Sequence, residues 1–215
     1  MTETASKARM LAAAVNLFAR GGFNGVTTKD IARSAQVSEG NIFRYFPSKR
    51  DLFIAAVDSE LSKLSVRAEV LAQTSETEDA RAALRKLFEL ITEVVVSEPE
   101  LVRLLRFSAL EFGSEMEPVF RKHLDAIFRA SAKNLERWSE GPGLQGIQAR
   151  VTVLSFVATV VLLENYRFYT GSDLPFSSVR SAAAEYAELW YRVLTGEATP
   201  GMAMPGELQA KSMNN

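Results

Sequence analysis

Residues 27–52, "TTKDIARSAQVSEGNIFRYFPSKRDL", start and stop helices faster than any other part of the chain. Thr27–x–x–Asp30 and Ser48–x–x–Asp51 both have the form of a capping box, in which a hydroxyl and an acid satisfy each other's backbone N–H groups. Ser38 is an N-cap for a helix ending near Tyr45, where Phe46-Pro47 stops it. The spacing predicts one short helix through about Ala35, a three-residue turn and a second short helix. Ile31, Ala35, Val37, Ile42 and Phe46 form an apolar seam between the two, and Ala32 is small enough for a close crossing. The outward face of the second helix then displays Glu39, Gly40, Asn41 and Arg44.

The flanking sequence supplies helices of ordinary length. Leu11, Val15, Phe18 and Ala19 put an apolar stripe on a helix over about residues 7–20, which Gly21-Gly22 end. A fourth helix capped at Ser48 reaches beyond Leu71. Leu84, Leu87, Phe88, Ile91 and Val95 mark a helix up to Val96, and Ser97-Glu98-Pro99 reads as a cap followed by a first-turn proline. That helix runs to Phe112, and Ser114–x–x–Glu117 caps a longer one through Trp138. The stretch 140–146, "EGPGLQG", is a loop, helices follow over about 147–169 and 175–195, and residues 197–215 read as a disordered tail. No strand pattern appears. The expectation is an all-α fold, with a three-helix head at 1–50 and a larger helical body at 51–196.

Composition narrows the chemistry. The chain has no cysteine and one histidine, His123, so thiolate metal sites, cysteine nucleophiles and histidine clusters are excluded, and no metal or catalytic residue is assigned. His123 is expected to be a partly exposed helix residue. The acids at 76–79, 98–100 and 115–117 sit at expected helix starts, where the dipole accounts for them, so no enzyme is read here. Charge is split along the chain: residues 1–55 carry eight Lys/Arg against four acids, +4, while 56–215 carry 17 against 22, −5. A basic head on an acidic body suits a protein that meets a polyanion at one end. The apolar run 151–163 is shorter than a membrane span of ~18–20 residues, and "KARMLAAAVNLFAR" is an amphipathic helix rather than an export signal. A cytoplasmic protein with no membrane partner is expected.

Two short helices at this spacing have the layout of a helix-turn-helix, whose second helix enters the major groove of double-stranded DNA. Arg44 can donate to guanine O6/N7, Asn41 can meet a base edge or phosphate, and Gly40 lets the backbone approach. Thr27, Thr28, Lys29, Tyr45 and Lys49 fall where the helix starts would meet the sugar-phosphate backbone. With helix 1, "GGFNGVTTKDIARSAQVSEGNIFRYFPSKRDL" and a long fourth helix, the chain resembles the tetracycline-repressor-like (TetR) family of bacterial regulators over about residues 7–60. The resemblance implies a homodimeric, ligand-responsive transcriptional repressor on the nucleoid. It implies backbone contacts from Thr28, Phe43, Tyr45 and Lys49, and a recognition helix carrying Ser38, Gly40, Asn41 and Arg44. The chain departs from the family twice: Phe43 stands where tyrosine is usual, and Gln36 where glycine is common in the turn.

Reading a palindromic operator needs two heads, hence a homodimer. Val153, Val157, Val160, Val161, Ala183, Tyr186, Trp190 and Val193 are the candidate dimer surface, pairing two helices per chain as a four-helix bundle. A small apolar or aromatic effector is expected among the body helices. Phe88, Leu105, Phe112, Phe120, Phe128, Phe156 and Phe168 are its candidate walls, and Glu111, Glu164 and Asn165 its polar anchors. The alternative is a helical adaptor whose head has lost sequence-selective DNA binding.

Overall fold

The computed structural model describes residues 3–74, 79–138, 151, 154–162 and 179–195. The described residues are helical, without strands, in the order α1 (Glu3–Gly21), α2 (Thr28–Ala35), α3 (Glu39–Tyr45), α4 (Lys49–Thr74), α5 (Ala80–Ser97), α6 (Pro99–Phe112), α7 (Glu117–Trp138), α8 (154–162) and α9 (Val179–Thr195). The expected loop at 140–146, the tail at 197–215, and Val153, Glu164, Asn165 and Phe168 lie outside the described residues.

Local chemistry sets the element ends. Thr27 and Asp30 make the full capping box of α2, and Ser38 Oγ accepts from the Asn41 N–H at 3.2 Å to start α3. Gly22 takes φ +67 after α1, the left-handed conformation that glycine reaches without penalty. Two expected caps are replaced. Ser97 stays inside α5, and Glu98 follows it without a side-chain cap, its carboxylate bonded to Arg67 of α4. Ser114 does not cap α7; the chain runs through a 3-10 turn, Gly113–Met116, which drops Met116 fully into the core. In both places a partner or a buried side chain from elsewhere in the fold outweighs the local cap.

Two apolar clusters organise the molecule. The first joins Met10, Ala14 and Phe18 of α1, Ile31 of α2, Ile42 of α3 and Leu52, Phe53, Ala56 and Leu61 of α4 to Leu104 of α6 and Met116. Its rings interlock: Phe18 meets Phe53 edge-on at 4.9 Å, and Phe53 stacks on Phe112 at 4.8 Å. The core therefore runs without a break across residue 50, because α4 begins in the head and ends in the body. The second cluster lies under α5, α8 and α9, where Phe88 and Phe156 stack at 3.8 Å among Leu84, Leu87, Val95, Val160 and Ala187.

The most extensive helix pairing is α4 against α7. A polar tie crosses it. His123 Nε2 is 2.8 Å from Asp58 Oδ1, Lys122 Nζ donates to the same oxygen at 2.9 Å, and His123 Nδ1 faces Ser65 Oγ at 3.5 Å. His123 is thus buried, 4% exposed, rather than the partly exposed residue expected: helix periodicity turns it toward α4, where Asp58 gives it a partner.

Candidate nucleic-acid interface

The turn between α2 and α3 is built on Gln36, the one non-glycine residue with positive φ among the described residues (φ 56, ψ 48). Its conformation lets the Val37 N–H reach Ala32 O at 3.0 Å. Ile31, Ala32, Ala35, Ile42 and Phe46 are all buried, so the inner faces of α2 and α3 are closed against α1 and α4. Glu39, Gly40, Phe43 and Arg44 are exposed on the opposite face, with Asn41 half-buried beside them. An alanine Cβ built on Gly40 would meet nothing within 4 Å, so the fold itself does not require a glycine there.

Several of these side chains already have partners inside the head. Thr28 Oγ1 donates to Glu39 Oε1 at 2.5 Å, linking the start of α2 to α3. A hydroxyl has one proton, so in this arrangement Thr28 has none left for a phosphate. Arg44 lies over the Tyr45 ring, its guanidinium 4.8 Å from the centroid and Nη2 donating to the Tyr45 hydroxyl at 2.6 Å. The Tyr45 proton remains available to an acceptor. Lys49, expected at the backbone of DNA, donates from Nζ to Val26 O at 2.8 Å and sits 4.2 Å from the Phe23 centroid. It braces the first turn of α4 against the α1–α2 loop. Lys29 is exposed, and Phe43, 44% exposed, presents a bare ring. The Thr27 hydroxyl and backbone, with Arg33 and Lys29 nearby, hold the Asp30 carboxyl below its usual value, which keeps the capping acid ionised.

Sequence reasoning missed the link between head and body. Glu111, expected to anchor a ligand, accepts from the Phe23 N–H at 3.1 and 3.2 Å and from Asn24 Nδ2 at 3.3 Å. Its carboxylate passes where a Cβ on Gly22 would lie 2.6 Å from Oε1, so the glycine that ends α1 also admits the last turn of α6. Glu100, about three turns earlier on the same face of α6, accepts from Asn16 at 3.0 Å. The signal available in the sequence was Gly21-Gly22 alone; its partner is 89 positions away.

The remaining expected residues divide by location. Phe112 belongs to the first cluster, Leu105 packs on it, and Phe88 and Phe156 are the stacked centre of the second. Phe120 and Phe128 do reach a cavity: with Leu124, Ser114, Glu117 and Arg121 they line an open groove of about 560 Å³ beside the end of α6. On α8, Val160 is 1% exposed, and Val157 and Val161 pack beside it on the second cluster, as do Tyr186 and Trp190 of α9. The outward side of α8 is instead Leu154, 54% exposed, Ala158 and Leu162, 68% exposed, with Leu189 on α9 at 48%. A helix that is apolar all round gives no sign of which side faces in; here the Phe156–Val160 step faces Phe88. Ala183 and Val193 lie on α9, and their side chains are outside the described residues.

Comparison with known proteins agrees with this geometry. Residues 10–56 match the family described as "Bacterial regulatory proteins, tetR family". The chain is similar to the nucleoid occlusion factor SlmA of Marinobacter nauticus, 29% identical over 77% of this chain and 82% of that protein. It is similar to the HTH-type transcriptional repressor KstR of Mycobacterium tuberculosis, 27% identical over 60% of this chain and 59% of that one. Its fold is shared with the transcriptional regulator FadR from Bacillus subtilis in complex with stearoyl-CoA, with a TM-score of 0.65, 16% identity, and 89% and 99% of the two chains covered. Over residues 10–56 the chain belongs to the TetR family of bacterial regulatory proteins, and as a whole it shares the fold of such a regulator.

Proposed function

We propose that the protein is a ligand-responsive repressor that binds a palindromic operator as a homodimer and leaves it when a small apolar or aromatic molecule occupies the body. The observation that carries this reading is the closed inner face and open outer face of α3, which leaves Glu39, Gly40 and Arg44 exposed and Asn41 half-buried. The repressor KstR and the acyl-CoA-bound FadR, as relatives in sequence and fold, support a repressor with a small-molecule effector. The groove of Phe120, Leu124 and Phe128 supports an apolar one. Leu154, Leu162 and Leu189 support a dimer through α8 and α9.

Release follows from the links already described. The α6 helix ends beside that groove and holds the head through Glu111 and Glu100. A ligand that favours a shifted α6 turns both heads through Phe23 and Asn24, and their spacing ceases to fit successive major grooves. The ligand acts through its difference in affinity for the two states.

Selection of bound duplexes from a random pool tests the reading. A palindromic winner is expected, with affinity that falls steeply with salt and falls again in Arg44→Ala. A folded dimer that enriches no sequence at low salt overturns it. That result would favour a helical adaptor, for which the bare ring of Phe43 and the engaged hydroxyl of Thr28 are the supporting observations.

A further inference from the structure

Glu39 is the anomaly of the exposed face. It places a carboxylate in the first turn of α3, the helix that also carries Asn41 and Arg44, on a surface proposed to lie against a polyanion. The carboxylate does not cap its own helix, because Ser38 Oγ takes the Asn41 N–H. It is held from the neighbouring helix, with Thr28 Oγ1 on Oε1 at 2.5 Å, and Oε2 has no hydrogen bond among the described residues. One oxygen is fixed and the other is left as a pure acceptor on an exposed side chain.

In the major groove, acceptors crowd the edges of guanine, adenine and thymine, while cytosine N4 offers a donor and no acceptor beside it. A carboxylate there repels phosphate and guanine edges and is accommodated by an amino group. We propose that Glu39 is a specificity-determining residue: Oε2 accepts from cytosine N4 at one base pair of each half-site, and Thr28 is the positioning residue that aims it. The inference rests on the operator-binding reading above and adds to it which base this acid reads and what orients it.

Glu39→Gln separates the two oxygens. The glutamine carbonyl still accepts from Thr28, while the other atom becomes an NH2 donor. Duplex selection with wild type and Glu39→Gln, each checked by thermal melting, is therefore the test. Wild type is expected to require cytosine at one position per half-site by about five- to tenfold, the lower end of a direct base contact. Glu39→Gln is expected to melt as wild type does and to exchange that cytosine for a base bearing an acceptor, leaving other positions alone. Thr28→Val is expected to flatten the preference at that same position without replacing it. An identical preference at every position in Glu39→Gln overturns the inference and leaves Glu39 as a brace within the head, with the operator-binding reading intact. A wild-type protein that selects no sequence overturns both.

Discussion

Gln36 and Gly40 stand four residues apart and invert each other's logic. Gln36 occupies a left-handed conformation that costs a side chain about 1–2 kcal/mol, and nothing it bonds requires a glutamine. Gln36→Gly should therefore raise stability by about 0.5–1 kcal/mol, the relief of that strain less the entropic cost of glycine, as read by urea unfolding. Gly40 is helical, with open space where a Cβ would be. Gly40→Ala should stabilise the isolated protein by about 0.5–1 kcal/mol. The same variant should bind operator roughly tenfold more weakly, about 1.4 kcal/mol, because the methyl meets the groove instead. Equal affinity in anisotropy titrations would mean the α3 backbone stays clear of DNA.

Between helices, the decisive contacts are polar groups set into apolar seams. Burial pushes the Asp58 carboxyl up, but hydrogen bonds from His123 and Lys122 outweigh it and hold the pKa below the ordinary 3.8. A depressed acid contributes stability fully above its unfolded value and loses it as pH falls through the folded one. The contribution of Asp58 to the tie between α4 and α7 should thus be fully present above pH 3.8 and fade as pH falls below it. Asp58→Asn should lower stability at pH 7 by about 1 kcal/mol, the group being partly solvated. Its deficit against wild type should shrink below pH 3.8 in a denaturant series. Glu111→Gln tests the other link, since an amide keeps one acceptor but loses the charge that attracts both the Phe23 N–H and Asn24. Hydrogen exchange should report faster exchange at Phe23, with α2 and α3 protected as in wild type; unchanged exchange would remove Glu111 from the coupling.

Across the molecule, the proposed reading of a palindromic operator depends on a surface that a single chain leaves open. Leu154, Ala158 and Leu162 line one side of α8, and the two leucines are more than half exposed. Leu162→Glu should give a monomer by light scattering, with helical content retained. Its operator affinity should drop roughly a hundredfold, since two half-sites would then be bound independently. A dimer that persists in this variant would move the interface elsewhere. No helix among the described residues is long and apolar enough to cross a membrane.

The head was legible in the sequence because its instructions are short-range. Thr27 with Asp30, Ser38 with the Asn41 N–H, and Gly22 after α1 act within three or four residues, so their hydrogen bonds follow from spacing alone. The apolar seam from Ile31 to Phe46 was legible for the same reason. Contacts between distant residues were not. Lys49 was expected at DNA and braces Val26, 23 positions earlier; Glu111 was expected at a ligand and holds Phe23, 88 positions earlier. His123 and Val160 were turned toward the surface by expectation and toward the core by the fold. A side chain's residue type states what it can bond or bury against. Which partner it finds depends on the helices that packing brings alongside, and that information lies in the fold as a whole.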